Sequence, residues 1–224
     1  MSRLLIGVIL FLSFQTSFSQ KTSKNNFTGA WESAASWVGG VAPANFDIGA
    51  ADLDLTINGY ITRTGNLTFA NINADASGPN LFINDTLVIN GSATFENKAA
   101  NLVLGPNAVF IVFGDFSATN KVTVQNGGIF VVAGDMNFSA SGQDEYENPG
   151  GGELFVGGTV SGNTDAGGDN DWGNLDDLYP DISDFVQCGG ACSLPIRLLF
   201  FESHLLGESI ELRWATTMEE NFDK

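Results

Sequence analysis

Leu102-Val103-Leu104-Gly105-Pro106-Asn107-Ala108-Val109-Phe110-Ile111-Val112-Phe113-Gly114-Asp115 and Val122-Thr123-Val124-Gln125-Asn126-Gly127-Gly128-Ile129-Phe130-Val131-Val132-Ala133-Gly134-Asp135 are two copies of one pattern. From Val109 onward they align at an offset of 20 residues, Gly-Asp on Gly-Asp. Upstream, Leu81-Phe82-Ile83 and Leu87-Val88-Ile89-Asn90-Gly91 keep the frame at shifts of 21 to 24. Downstream, Leu154-Phe155-Val156-Gly157-Gly158 fits once more, and Leu53-Asp54-Leu55-Thr56-Ile57-Asn58-Gly59 is a weaker copy. Each unit holds short β-branched or aromatic runs punctuated by Gly, Asn, Asp and Pro, which is strand and turn chemistry. No window presents a capped 3.6-residue apolar period. Repeats of this length mark solenoids, in which one unit cannot bury its own apolar face and stacking makes the core continuous. The expected fold is all-β: a parallel (right-handed) β-solenoid of about five or six coils over residues 45–162, with Phe110 and Phe130 on adjacent coils facing the same way. An antiparallel sandwich of short strands is the alternative.

The first residues have the order of an export signal. Arg3 is followed by an apolar run from Leu4 to Phe14, then Ser17-Phe18-Ser19. That run is too short to cross a bilayer, so residues 1–19 read as a cleaved signal peptide and imply a secreted or cell-surface protein. Cleavage leaves eight basic against 26 acidic residues (26 − 8), a net charge near −18. Such a charge repels nucleic acid and anionic headgroups. With 43% hydrophobic residues and 18 Phe the chain nevertheless has material for a core.

The two cysteines, in Cys188-Gly189-Gly190-Ala191-Cys192, fit a short disulfide in an oxidising compartment, worth about 2 kcal/mol. Two free thiols in a linker are the plain alternative. The only histidine, His204, cannot complete a zinc site with them.

Residues 27–48 contain Trp31, Ser36-Trp37, Gly39-Gly40 and Pro43. This resembles the opening segment of secreted β-helical proteins from type IX-secreting bacteria. The tryptophans would cap the open end of the stack, or else form a sugar-stacking platform. At the other end, Leu194-Pro195-Ile196-Arg197-Leu198-Leu199-Phe200-Phe201-Glu202 precedes Ile210-Glu211-Leu212-Arg213-Trp214-Ala215-Thr216-Thr217-Met218-Glu219-Glu220-Asn221. This resembles the segment before the sorting domain of type IX secretion cargo. The resemblance implies that residues 194–224 are the truncated opening strands of a fibronectin-like β-sandwich. Alternate apolar residues (Ile196, Leu198 and Phe200; Ile210, Leu212 and Trp214) predict a truncated β-hairpin over 195–215, turning near Gly207-Glu208. Asp85-Thr86-Leu87 is similar to the O-glycosylation signal of the same bacteria.

Residues 163–193 read as an acidic Gly/Asp-rich linker: from Val122 to Ile196 there is no Lys or Arg but twelve Asp or Glu. Within it Asp169, Asp171, Asp176 and Asp177 crowd around Gly173 and could offer oxygens to calcium, although the spacing is not an EF-hand. A solvated acidic loop explains them as well.

No catalytic constellation stands out. There is no Gly-x-Ser-x-Gly elbow for His204 to serve, and the Gly-Gly runs lack the Lys-Ser/Thr of a phosphate loop. Asp115 and Asp135 should stack on neighbouring coils and could act as a carboxylate pair, but a repeated Gly-Asp corner explains them too. The functional expectation is an exported, non-enzymatic surface or matrix protein without a cofactor. Its partners would be surface glycans or other surface proteins, with no nucleic acid and no membrane span after signal cleavage. A carbohydrate-binding or carbohydrate-cleaving β-helix is the alternative.

Overall fold

The computed structural model describes residues 21–43, 54–70, 80–96, 101–119, 122–139, 145–162, 164–192, 198–206 and 209–216. Residues 1–19, read above as a signal peptide, residues 194–197, the expected turn at Gly207-Glu208 and residues 217–224 lie outside them.

The chain winds in coils of three short strands. β1 (Lys21–Thr22) and β2 (Thr28–Ala30) start an incomplete coil. The next coils are β3 (Leu55–Ile57), β4 (Tyr60–Thr64) and β5 (Leu67–Ala70), then β6 (Asn80–Ile83), β7 (Thr86–Asn90) and β8 (Ala93–Glu96). They continue as β9 (Asn101–Leu104), β10 (Val109–Val112) and β11 (Phe116–Thr119), then β12 (Thr123–Asn126), β13 (Ile129–Val132) and β14 (Met136–Phe138). The last is β15 (Glu145–Glu147), β16 (Glu153–Val156) and β17 (Val160–Ser161). Every strand pairs in parallel with its equivalents above and below. Three sheets result: A (β1-β3-β6-β9-β12-β15), B (β16-β13-β10-β7-β4-β2) and C (β17-β14-β11-β8-β5). The four intervals between the five three-stranded coils span about 19 Å at the usual strand spacing.

Register follows side-chain chemistry. Alternation turns Leu81 and Ile83, Leu102 and Leu104, Ala93 and Phe95, and Phe116 and Ala118 inward, all fully or nearly fully buried. Phe110 and Phe130 are register partners, with rings stacked at 4.9 Å, and Phe116 meets Phe130 edge-on at 5.1 Å. A second file runs Phe69, Phe95, Phe116, Phe138, with successive centroids 5.3, 5.5 and 6.3 Å apart. The parallel in-register pairing excludes the antiparallel sandwich across these segments.

Both ends of the stack are closed. Trp31 and Trp37 are fully buried at the first coil, edge-to-face at 5.3 Å, and the Trp37 indole N–H donates to the Trp31 carbonyl at 2.7 Å. Residues 36–38 return along β1, where Lys24 N–H donates to the Ser36 carbonyl and Val38 N–H to that of Thr22. At the far end α1 (Thr164–Asp169) places buried Ala166 on the core. Asn170 then imitates a further strand. Its Oδ1 accepts the Val156 N–H at 2.8 Å, and its Nδ2 donates to the Val156 carbonyl at 3.2 Å. Unpaired strand edges invite aggregation, and these devices pair the edge of sheet A at the first coil and of sheet B at the last.

The structure corrects the expectation of a solenoid followed, after an acidic linker, by a truncated β-hairpin from a sandwich. The segment after the last coil is helical: α1, a 3-10 turn (Trp172–Asn174), α2 (Leu175–Leu178) and α3 (Pro180–Gln187). The reason is sheet B. Its strands β10 and β13 are buried at every position, on both faces. Val88, Ile111, Val131 and Phe155 point outward into a second apolar cluster, which Leu175, Ile182 and Phe185 cover. A sheet buried on both faces needs such a layer, and helices supply it. Pro180 stands at the first turn of α3, where a missing N–H costs nothing. Beyond the helices, β18 (Leu198–Leu206) and β19 (Ser209–Thr216) pair antiparallel, and no third strand joins them among the described residues.

Candidate functional site

The Gly-Asp corners form a ladder along the solenoid axis. Asn66 Oδ1 accepts the Ser92 N–H (3.0 Å), and Ser92 Oγ accepts that of Asp115 (3.1 Å). Asp115 Oδ1 accepts the Asp135 N–H (2.9 Å), and Asp135 Oδ1 that of Thr159 (2.7 Å). Each side chain rises through the space beside the glycine of the next coil. A Cβ on Gly114 would lie 2.5 Å from Ser92 Oγ and 2.8 Å from its backbone N, so glycine is required there. Asp115 and Asp135 do stack on neighbouring coils, and the corner accounts for them. Each carboxylate holds a backbone N–H, which is worth about 1 kcal/mol per bond.

A second polar file stitches the corner before sheet A. Asn80 donates from both its backbone and its side chain to Asp54 Oδ1 (3.1 and 2.8 Å), and Asn101 Nδ2 donates to Asn80 Oδ1 at 2.7 Å.

The outward faces differ. Sheet B lies under the helices. Sheet A presents a mixed row of Thr56, Phe82, Val103, Gln125 and Glu147. Sheet C presents Thr68, Thr94, Ser117, Asn137 and Ser161, all small, polar and in register. Ser161 Oγ is within hydrogen-bond distance of Asn137 Oδ1, at 3.1 Å, which shows how closely this row repeats.

The four residues considered for calcium are not brought together. Asp169 ends α1 and its Oδ2 accepts from Asn148 Nδ2 at 3.1 Å. Asp171 Oδ1 accepts from Asn174 Nδ2 at 2.8 Å. Asp176 and Asp177 occupy the first turn of α2, exposed, where the helix dipole favours acids. Among the described residues no three His, Cys, Asp or Glu side chains converge on a common point. Helix formation explains this: it spreads residues that sequence proximity had suggested as one loop.

Cys188 and Cys192 form a disulfide with Cα atoms 6.2 Å apart. Trp31 and Trp37 are too buried to stack on a sugar. His204 lies in β18 with its backbone opposite Glu211. Thr86, of the Asp-Thr-Leu triplet, is only 8% exposed, and its hydroxyl donates to Asp85 Oδ1 at 3.3 Å.

Sequence reasoning missed a polar group inside the core. Asn126 is fully buried, with Nδ2 donating to the Glu153 carbonyl (3.0 Å) and to Tyr146 Oη (3.2 Å), while Oδ1 accepts the Gly128 N–H (3.2 Å). Burial pushes the Tyr146 phenol up to about 12, against the smaller opposing pull of the Asn126 hydrogen bond. The available signal was Asn126 standing at the inward phase of its strand, where a lone polar residue needs an internal partner.

No family model, no characterised protein and no solved structure matches this chain.

Proposed function

We propose that the chain is an exported, non-enzymatic surface or matrix protein whose solenoid serves as a rigid scaffold for adhesion or display. One observation carries this reading: parallel coils in continuous register, closed at both ends, hold their outward rows at fixed spacing. The acidic balance adds a partner rule, disfavouring nucleic acid and anionic lipid. No helix among the described residues is long and apolar enough to cross a membrane. Export by the type IX route is supported by the sequence resemblance at both ends. The test is a tagged chain expressed in its native host. It should be cut by protease added to intact cells, and beads coated with the purified protein should adhere to cell-surface or matrix material. Recovery only from the cytoplasm would overturn the reading, as would turnover of a polysaccharide by the purified protein.

The row on sheet C favours a second reading, a carbohydrate-binding solenoid. Thr68, Thr94, Ser117, Asn137 and Ser161 offer hydroxyls and amides suited to sugar hydroxyls. Depletion of the protein by insoluble neutral polysaccharide, lost in Ser117→Arg, would support it; unchanged depletion in that variant would refute this face.

A further inference from the structure

We propose that the helical strap over sheet B is a redox-sensitive device, clasped by the Cys188–Cys192 disulfide and opened by a dithiol reductant. The strap is Trp172–Cys192, which covers the outward file Val88, Ile111, Val131 and Phe155. From Leu175 onward its backbone hydrogen bonds run within the segment, and side-chain packing holds it to the sheet. No Lys or Arg occurs between Val122 and Ile196, so the strap has no cation of its own to offset its aspartates. It is the kind of element that opens locally while the rest of a fold persists.

Its far end depends on the disulfide. Helix α3 has no basic residue in its last turn, and exposed Asp184 stands there against the helix dipole. The last carbonyls are met instead by the turn that the disulfide closes. Gly189 N–H donates to the Val186 carbonyl and Gly190 N–H to that of Phe185, both at 3.0 Å and both glycines at positive φ. Cys188 Sγ lies 3.2 Å from the Phe185 carbonyl, and the Cys192 N–H donates to Cys188 Sγ at 3.0 Å. The same turn seats the strap on the solenoid. Phe113 meets Phe185 with centroids 5.7 Å apart, and a Cβ on Gly190 would stand 3.0 Å from the Phe113 ring. The disulfide therefore sets the helix end, the glycine turn and the Phe113 contact together.

Cys192 is exposed and Cys188 half-buried, so Cys192 Sγ is the accessible sulfur. A thiolate of the external dithiol attacks it, forming a mixed disulfide, and Cys188 leaves as the thiolate. The second thiol of the reductant then displaces Cys192. Two electrons pass from the dithiol, which becomes a disulfide, and the protein retains two thiols. Opening the ring releases the chain-entropy constraint on the strap's end, about a 30-fold change in its opening equilibrium for so short a loop.

The experiment is hydrogen exchange by mass spectrometry on the full chain, oxidised and then with dithiothreitol as the dithiol. Residues 175–187 should exchange about 30-fold faster after reduction, while β7, β10 and β13 keep their protection and reoxidation restores the strap. The double variant Cys188→Ser, Cys192→Ser should resemble the reduced protein without reductant; reduced and alkylated wild-type protein serves the same purpose if that variant folds poorly. Unchanged protection over 175–187 on reduction would overturn the proposal. Loss of protection in the solenoid strands at the same time would also overturn it, because the disulfide would then be a staple of the whole fold.

Discussion

Replacing Phe130 by alanine tests whether the stacked core is the source of stability. Phe130 is fully buried, in register between Phe110 and Leu154, with one ring stacked on it and another edge-on. Truncating a buried Phe costs about 3–5 kcal/mol through lost transfer energy and the cavity left behind. The aromatic contacts add about 0.5–1.5 kcal/mol beyond area. Flanking coils are locked by backbone pairing and cannot collapse into the space, so a loss of about 4–5 kcal/mol is expected. That is a large share of the roughly 5–15 kcal/mol available to a domain. Urea denaturation followed by circular dichroism gives the value, with outward Ser117→Ala as a control expected to stay within about 0.5 kcal/mol. In a stack coupled only through neighbours, damage should also be local. Exchange should therefore accelerate most in β10, β13 and β16 and least at the Trp31–Trp37 end. A loss below about 1 kcal/mol, or uniform acceleration along the stack, would refute the reasoning.

Gly114→Ala should destabilise by about 1–3 kcal/mol, because its Cβ meets the backbone of the coil below; Gly167→Ala, with open space around it in α1, should instead stabilise by up to about 1 kcal/mol. Thermal or urea melts of the two variants decide both signs. Asn170→Ala removes both side-chain bonds that finish the sheet B edge and should cost about 1–3 kcal/mol, with concentration-dependent association visible by light scattering. The raised Tyr146 phenol contributes stability that is complete below pH 10 and is lost as pH rises towards 12, amounting to about 2 kcal/mol. The stability difference between wild type and Tyr146→Phe should fall across that window, and a constant difference would show that the phenol is not protected.

Much of the stack was legible in the chain. The 20-residue offset put Phe110 under Phe130 because a coil that turns the same corner twice must return in phase. The Gly-Asp corner recurred for a steric reason that only the geometry displays: the glycine clears the side chain rising from the coil below. The strap was not legible from composition. Leu175, Tyr179, Ile182, Phe185 and Val186 recur at three- and four-residue spacing and meet sheet B from α2 and α3 in turn, whereas Leu178 stays exposed. The aspartates between them make the average look like a solvated linker, although the two residue types occupy opposite faces. Its necessity could also have been inferred from the strands. Val109–Phe113 and Ile129–Ala133 are apolar without alternation, so both faces of sheet B had to be covered. For the same reason Asp169, Asp171, Asp176 and Asp177, grouped in the sequence as one loop, are spread over the end of one helix, the turn after it and the start of the next.

The corner ladder has a consequence for how such a protein changes length. Every rung offers one side-chain oxygen to the amide above and donates its own amide N–H to the oxygen below, so an added rung leaves the count of unmet groups unaltered. Recombination that duplicates or removes a whole winding would preserve this chemistry, whereas a gain or loss of a few residues inside a strand would break it. The body can therefore lengthen or shorten in quanta of one winding, about 4.8 Å each, while both closures stay the same. Length along the axis would then be a heritable trait set by copy number, adjustable without redesigning any face.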